Sequence, residues 1–95
     1  MSQTIDTAVA KLSEKYEGGL GGTAKFVIGD EGSIMMDDAG VREGDDASDV
    51  TMTADAETFQ SILDGDTDPT AAFMSGKLAV DGDMGLAMKL AGILS

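Results

Sequence analysis

The acidic residues between Asp64 and Asp68 are the first group in this 95-residue sequence that could hold a ligand. Acids at the first, third and fifth positions are typical of the start of a calcium-binding loop, which also needs glycine at the sixth position and a bidentate glutamate at the twelfth. The sequence has Pro69 and Ser75 at those two positions. We therefore predict a solvated capping loop here and no metal site.

Groups that could catalyse a reaction are few. The chain contains no histidine and no cysteine, which removes the usual general base at neutral pH and the Ser-His and Cys-His nucleophile arrangements. Neighbouring acids such as Asp37 and Asp38 fall in predicted turns, where we expect them to face solvent. Tyr16 could donate a proton, but a lone tyrosine at the end of an apolar helix stripe is more typical of packing. We predict no catalytic residue, no cofactor and no enzyme activity.

The acidic balance of the chain excludes several classes of partner. Eighteen acidic and six basic residues give a formal net charge of −12. Nucleic acid binding needs clustered lysine and arginine, and an anionic membrane surface would repel such a chain. No apolar run approaches the ~20 residues that span a bilayer, and the first residues lack the basic-then-apolar order of a secretory signal. We predict no nucleic-acid partner, no membrane span and a cytoplasmic location.

Hydrophobic periodicity predicts the elements that position the side chains. Three- and four-residue spacing of apolar residues predicts a helix from Ser2 to Glu17. Alternation and turn residues predict strands over 22–29, 33–37, 41–43 and 50–54, and a last short strand containing Leu78 and Val80. Capping residues predict three more helices, which follow Asp55, Asp68 and Asp83 and end at Gly65, Gly76 and Leu94. This order predicts one α+β domain over residues 1–95.

The last predicted helix, over residues 84–94, is apolar on nearly every side. One stripe contains Met84, Ala87, Met88 and Ala91, and a second contains Leu86, Leu90, Ile93 and Leu94. Such a helix must be covered on nearly every side. A single sheet can cover one stripe, so the other stripe is expected to meet a ligand, a second helix or a partner chain. Packing between the sheet and the first helix is the structural alternative.

The block over residues 72–90 carries a resemblance to a known family. It reads Ala-Phe-Met-Ser-Gly-Lys-Leu-Ala-Val-Asp-Gly-Asp-Met-Gly-Leu-Ala-Met-Lys-Leu. This block resembles the sterol carrier protein type 2 family. The resemblance implies a five-stranded, largely antiparallel sheet covered on one face by helices and enclosing an apolar tunnel. It also implies non-covalent binding, with little selectivity, of fatty acyl chains, acyl-CoA, phospholipids or sterols.

The resemblance and the apolar pattern together suggest which residues line the tunnel. The predicted lining residues are Phe26, Ile28, Ile34, Met36, Met52, Phe59, Leu63, Phe73, Met74, Met84, Ala87, Met88 and Ala91. Lys77 has two interpretations, a contact to a lipid head group or an ion pair with an acid. The predicted partner is a lipid or another long apolar molecule, such as an isoprenoid.

Two further predictions stay open at this point. An apolar groove could instead dock a partner enzyme or a second copy of the chain, which would make this an interaction module or a homodimer. The large excess of aspartate over lysine suggests a halophilic archaeal source, because molar salt screens the self-repulsion of so acidic a protein.

Overall fold

The computed structural model describes residues 3–16 and 18–94. Within them, helices and strands follow one another in the order that the sequence predicts. The helices are α1 (Gln3–Lys15), α2 (Ala56–Leu63), α3 (Pro69–Met74) and α4 (Met84–Leu94). The strands are β1 (Ala24–Ile28), β2 (Gly32–Asp37), β3 (Gly40–Glu43), β4 (Val50–Ala54) and β5 (Ala79–Gly82).

The strands form one five-stranded sheet in the order β3-β2-β1-β4-β5. Three neighbouring pairs are antiparallel, and β1 and β4 run parallel in the centre. In the central register Phe26 lies beside Met52, which in turn lies beside Val80 of the edge strand β5. A row of apolar side chains therefore crosses the sheet from its centre to one edge.

One face of the sheet carries the core, and helices cover it. Alternate residues of β1 and β4 are buried on this face, as period-two alternation in a half-buried strand requires. They share one cluster with Ile5 and Leu12 of α1, Phe59 of α2 and Leu90 of α4. The predicted fold class is therefore confirmed: an α+β domain with a largely antiparallel five-stranded sheet.

The opposite face of the sheet buries one large residue, Met35, which lies outside the main core cluster. The connection from β3 to β4 covers it. A Cβ atom added at Gly44 would lie 3.0 Å from Met35 Cγ, and Asp45 forms a 2.9 Å ion pair with Lys25 of β1. This connection, which contains no helix, therefore covers part of the second face of the sheet.

Aspartate side chains begin α2, α3 and α4. Asp55 accepts a hydrogen bond from the Thr58 amide at 2.7 Å, and Asp68 accepts one from the Ala71 amide at 3.1 Å. Asp83 accepts from the Gly85 amide at 2.8 Å and more weakly from the next amide. Each carboxylate satisfies an amide that has no partner inside its helix. The three predicted starts are therefore confirmed.

Several boundaries differ from the prediction by one or two residues, as in β1, which is shorter than the predicted 22–29, and others cannot be compared with it. The predicted ends of the first helix, Ser2 and Glu17, lie outside the described residues. The prediction that Leu78 belongs to the last strand is wrong, because its amide donates to the Ala72 carbonyl and closes the end of α3. The ladder with β4 begins one residue later, at Ala79. Among the described residues, no helix is long and apolar enough to cross a membrane.

Candidate functional site

An apolar groove lies between α3, α4 and the β4–β5 edge of the sheet. It has a volume of about 170 Å³. The sheet side of its lining is formed by Met52, Leu78 and Val80, and the helix side by Pro69, Thr70, Phe73, Met84, Ala87, Met88 and Ala91. Thr70 is the only polar residue in this lining. We refer to this site as the apolar groove.

The rim of the apolar groove exposes large apolar side chains to water. Met88 is 76% exposed, Met84 53% and Phe73 44%. Scattered apolar residues are normal on a protein surface, but a contiguous group beside an apolar cavity marks a binding surface. Methionine and its three rotatable bonds can adapt to ligands of different shape. The groove is therefore chemically suited to hold an apolar guest.

At one end the apolar groove continues into a shallow cleft of about 310 Å³. Thr70, Met88 and Ala91 belong to both linings, and the cleft adds Asp68 and Gly92. Apolar lining thus gives way to one hydroxyl and one carboxylate. An elongated molecule with a polar end could therefore place its chain in the groove and its polar end in this cleft.

The structure brings about half of the predicted lining residues together. Those that line the apolar groove are Met52, Phe73, Met84, Ala87, Met88 and Ala91. Those packed in the core under α1 and α2, outside the groove, are Phe26, Ile28, Ile34, Met36, Phe59 and Leu63. Met74 is 81% exposed and lies outside the groove lining. It is turned about 100° around α3 from Phe73.

The ring of Phe26 packs at the centre of the sheet. Its centroid lies 5.5 Å from that of Phe59, with the rings tilted by 47°. Ile5 and Leu12 of α1 are also fully buried in the same cluster. Beneath α1 and α2, fully buried side chains therefore pack against one another. The ligand-lining role of all thirteen residues, and a closed tunnel, stay predictions.

Four groove residues were missing from the predicted lining: Pro69, Thr70, Leu78 and Val80. Leu78 and Val80 are two residues apart, so both were expected on the same side of an extended segment. Proximity of Val80 to Met52 follows from the pairing of β4 with β5. Pro69 and Thr70 begin α3, and nothing in the local sequence pattern indicates that the start of this helix borders a cavity.

Two other clefts have a different character. The larger, about 570 Å³, lies between the end of α1 and the outer side of α4, and its lining includes Lys15 and Lys89. The smaller, about 270 Å³, lies at the start of α2 and contains Lys77 and Asp55. Both contain charged side chains, so neither resembles the apolar groove.

Lys77 therefore lies beside an acid rather than in the groove. The backbone and side chain of Thr58 hydrogen bond to Asp55 and lower the pKa of its carboxyl, and the positive charge of Lys77 lowers it further. This placement agrees with the interpretation of Lys77 as a partner for an acid. A direct contact from Lys77 to a ligand head group stays a prediction.

The groove lining holds no arranged set of reactive side chains. The groove lining contains no carboxylate, lysine or tyrosine. Tyr16 lies elsewhere, where its hydroxyl accepts a hydrogen bond from the Leu20 amide at 3.1 Å and its ring packs on the core. Among residues 3–16 and 18–94, no group of three or more acids could hold a metal ion.

Comparison with curated proteins gives a relative in Xenopus laevis, hydroxysteroid dehydrogenase-like protein 2. It is 35% identical over 102 residues, covering 99% of this chain and 24% of that protein. The chain therefore spans about a quarter of the length of this curated relative, and it matches only a portion of a much larger protein.

Solved structures of the same fold cover nearly the whole chain. The crystal structure of sterol carrier protein 2-like 2 from Aedes aegypti superposes with a TM-score of 0.78 at 22% identity, covering 94% of both chains. The solution structure of Aedes aegypti sterol carrier protein 2 in complex with palmitate gives a TM-score of 0.77 at 24% identity, covering 100% of this chain and 97% of that one. The family model for SCP-2 sterol transfer proteins matches residues 4–95. The chain belongs to the SCP-2 sterol transfer family.

Proposed function

We propose that this protein binds and transfers, without covalent chemistry, a lipid or another long apolar molecule whose chain lies in the apolar groove. The observation that carries the proposal is a cavity lined almost entirely by apolar side chains and rimmed by exposed Phe73, Met84 and Met88. Covering this surface with a ligand removes apolar area from water, which stabilises the complex by about 25 cal/mol per Å².

Family membership supports the same proposal. The family is described by sterol transfer, and the structurally similar mosquito protein was solved with a C16 fatty acid. These ligands share a long apolar body and differ in the polar end. We therefore propose the shared chemistry, a long apolar chain or ring system, as the ligand class for this chain.

The groove must open further to hold a whole lipid. Its volume of about 170 Å³ is below the roughly 300–1,000 Å³ of most small-molecule sites. The helix side of the groove includes α3, which is only six residues long, and two exposed methionines that can change rotamer. We propose that the helix side moves outward on binding and turns the groove into the tunnel that the family resemblance implies.

Filling the groove tests the proposal. We expect Ala91→Phe to place a ring in the cavity and to weaken dodecanol binding at least about tenfold, since losing the burial of two methylene groups costs about 1.6 kcal/mol. Methionine-methyl NMR reports the binding, because Met52, Met84 and Met88 line the groove whereas Met35 and Met36 do not. Ala10→Phe, on the exposed side of α1, is the matched control and leaves binding unchanged.

Two outcomes would contradict the proposal. Dodecanol that fails to shift the groove methionines of the folded wild-type protein would show that the groove does not accept a chain. Equal affinity of Ala91→Phe and wild type would place the bound chain elsewhere.

The exposed apolar side chains of Phe73 and Met74, which are adjacent on α3, favour a second candidate function. Met74 lies outside the groove lining and is 81% exposed, so ligand binding in the groove does not explain it. We propose docking of a partner enzyme or of a second copy of the chain as this alternative. A dimer that strengthens with concentration, weakens in Met74→Asp and forms without any lipid affinity would favour it.

We also propose that the chain is a carrier and not an enzyme, since its groove holds no reactive group. The relative's name refers to a protein about four times longer, so any activity of that protein is not transferred to this domain. A cytoplasmic location and a halophilic archaeal source stay predictions. A melting temperature that rises as salt increases to molar concentration would support the halophilic source. A melting temperature that does not change with salt would contradict it.

A further inference from the structure

Charges are distributed unevenly around the apolar groove. The shallow cleft at one end of it is lined by Asp68 and Thr70 among others. A second carboxylate, Asp83, directly precedes the groove residue Met84 at the start of α4. The cleft lining therefore holds one acid, while the two lysines next to groove residues in sequence, Lys77 and Lys89, line the two charged clefts instead.

The basic side chains of the chain lie elsewhere. Three of the six form ion pairs away from the groove, and the remaining three line the two charged clefts. The pairs are Lys11 with Asp64, Lys25 with Asp45 and Arg42 with Asp37. Lys89 is on α4 itself, but its ammonium group lies 3.4 Å from the Leu20 carbonyl on the other flank of the helix. No basic residue lines the groove or the cleft that continues it.

We propose that the groove selects amphiphiles with an uncharged hydroxyl head and disfavours those with a carboxylate or phosphate head. This inference rests on the proposed function and specifies its ligand. A hydroxyl in the cleft can donate to the Asp68 carboxylate and accept from the Thr70 hydroxyl. A carboxylate in the same place finds no cation and is repelled by Asp68 and by the net charge of −12.

The start of α3 does not offset this repulsion. The amide ends of a helix attract anions, but the effect is local to the first turn. Asp68 already accepts a hydrogen bond from the Ala71 amide at 3.1 Å. The carboxylate that caps the helix therefore occupies the position from which the helix could attract a second anion.

The test compares dodecanol with dodecanoate, both below their aggregation limits, by methionine-methyl NMR titration at neutral pH. In low salt we expect the alcohol to bind at least about fivefold tighter, with a smaller difference in molar salt because the repulsion is screened. An alcohol leaves water more readily than a carboxylate whatever the protein, so variants provide the decisive comparison. Asp68→Asn removes the local charge and keeps the helix cap, since asparagine caps as well as aspartate.

Asp66→Asn is the matched control, because it removes one charge from an exposed neighbouring residue outside the cleft lining. We expect Asp68→Asn to reduce the preference for the alcohol at least about threefold and Asp66→Asn to change it little. The inference would be overturned if both variants reduced the preference for the alcohol equally. It would also be overturned if the wild type bound dodecanoate as tightly as dodecanol. In either case the proposed binding of an apolar chain in the groove would still stand. If neither ligand binds, the proposed function itself is contradicted.

Discussion

Two halves of the same sheet face are covered in different ways. In the closed half, α1 packs on β2 and β3, Phe26 of β1 packs on Phe59 of α2, and the side chains of Phe26, Ile34 and Met36 are fully buried. In the open half, β4 and β5 lie under α3 and α4, where Met52 and Val80 border the apolar groove. The floor of both halves is apolar, so the covering helices decide which half contains a groove.

The difference comes from the helices. α1 is 13 residues long and presents Ile5, Ala8 and Leu12 to the sheet, all buried. α3 is six residues long and places Phe73 only partly over the sheet. α4 uses Leu86, Leu90 and Leu94 for the core and leaves its methionine stripe for the groove. Under the proposed function, stability and ligand binding therefore depend on different residues, and mutation can separate the two.

The largest expected effect is in the closed half. Phe26→Ala should lower the free energy of unfolding by about 3–5 kcal/mol, because it removes a fully buried ring and leaves a cavity. Met88→Ala in the open half should change it by less than about 0.5 kcal/mol, since Met88 is mostly exposed. Urea denaturation followed by circular dichroism measures both. A cost for Met88→Ala comparable to that of Phe26→Ala would show that the open half is packed shut in solution.

A smaller but more local effect is expected at Gly82, which joins β5 to α4. Its φ of 109° disfavours other residues, and an added Cβ would lie 2.9 Å from Val50 Cα and closer still to the Asp49 carbonyl oxygen. Gly82→Ala should therefore cost at least about 2 kcal/mol, since backbone strain alone costs about 1–3 kcal/mol. Hydrogen exchange should show faster opening of β5 and α4 than of α1.

Gly65→Ala is the control that separates the cost of backbone strain from the cost of the steric clash expected in Gly82→Ala. Gly65 also has a positive φ, 84°, but an added Cβ would have no neighbour within 4 Å. Gly65→Ala should therefore lower the free energy of unfolding only by the cost of backbone strain, about 1 kcal/mol. If Gly82→Ala cost no more than Gly65→Ala, or opened α1 as readily as α4, the two halves would not unfold as separable units.

The sequence predicted the buried faces of the strands, the starts of three helices and the apolar stripe that lines the groove. Alternation in β1 and β4 identified their buried faces, and the aspartate caps placed the starts of α2, α3 and α4. The groove stripe of Met84, Ala87, Met88 and Ala91 was also recognised as separate from the leucine stripe. These features are set by local spacing, which a sequence shows directly.

The boundary between core and cavity was not predictable from spacing. Phe26 and Met52 lie side by side on one face, yet the first is covered by α2 and the second borders the groove. The difference depends on the length of the helix above each residue and on how far its side chains reach. Periodicity identifies a buried face but does not tell whether its cover is a protein side chain or a ligand.

The smallest expected effect is the pH dependence of stability that comes from Asp55, the N-cap of α2 in the closed half. Hydrogen bonds from Thr58, with a further contribution from Lys77, lower the folded-state pKa of Asp55 below its ordinary 3.8. The unfolded chain therefore binds a proton first as the pH falls, so this contribution is complete above about pH 5 and is lost through the folded pKa. Asp55→Asn keeps the cap and removes the titrating group, and should flatten the acid side of the stability curve.

Urea denaturation at a series of pH values below about 5 measures that slope. Asp30→Asn, an exposed acid in the turn between β1 and β2, removes the same charge without touching a helix cap. Part of the slope should persist in both variants, because Arg42 and the Ala39 amide hydrogen bond to Asp37 and lower its pKa as well. If Asp30→Asn flattened the slope as much as Asp55→Asn, general relief of charge repulsion would explain the acid response, and the cap of α2 would have no specific part in it.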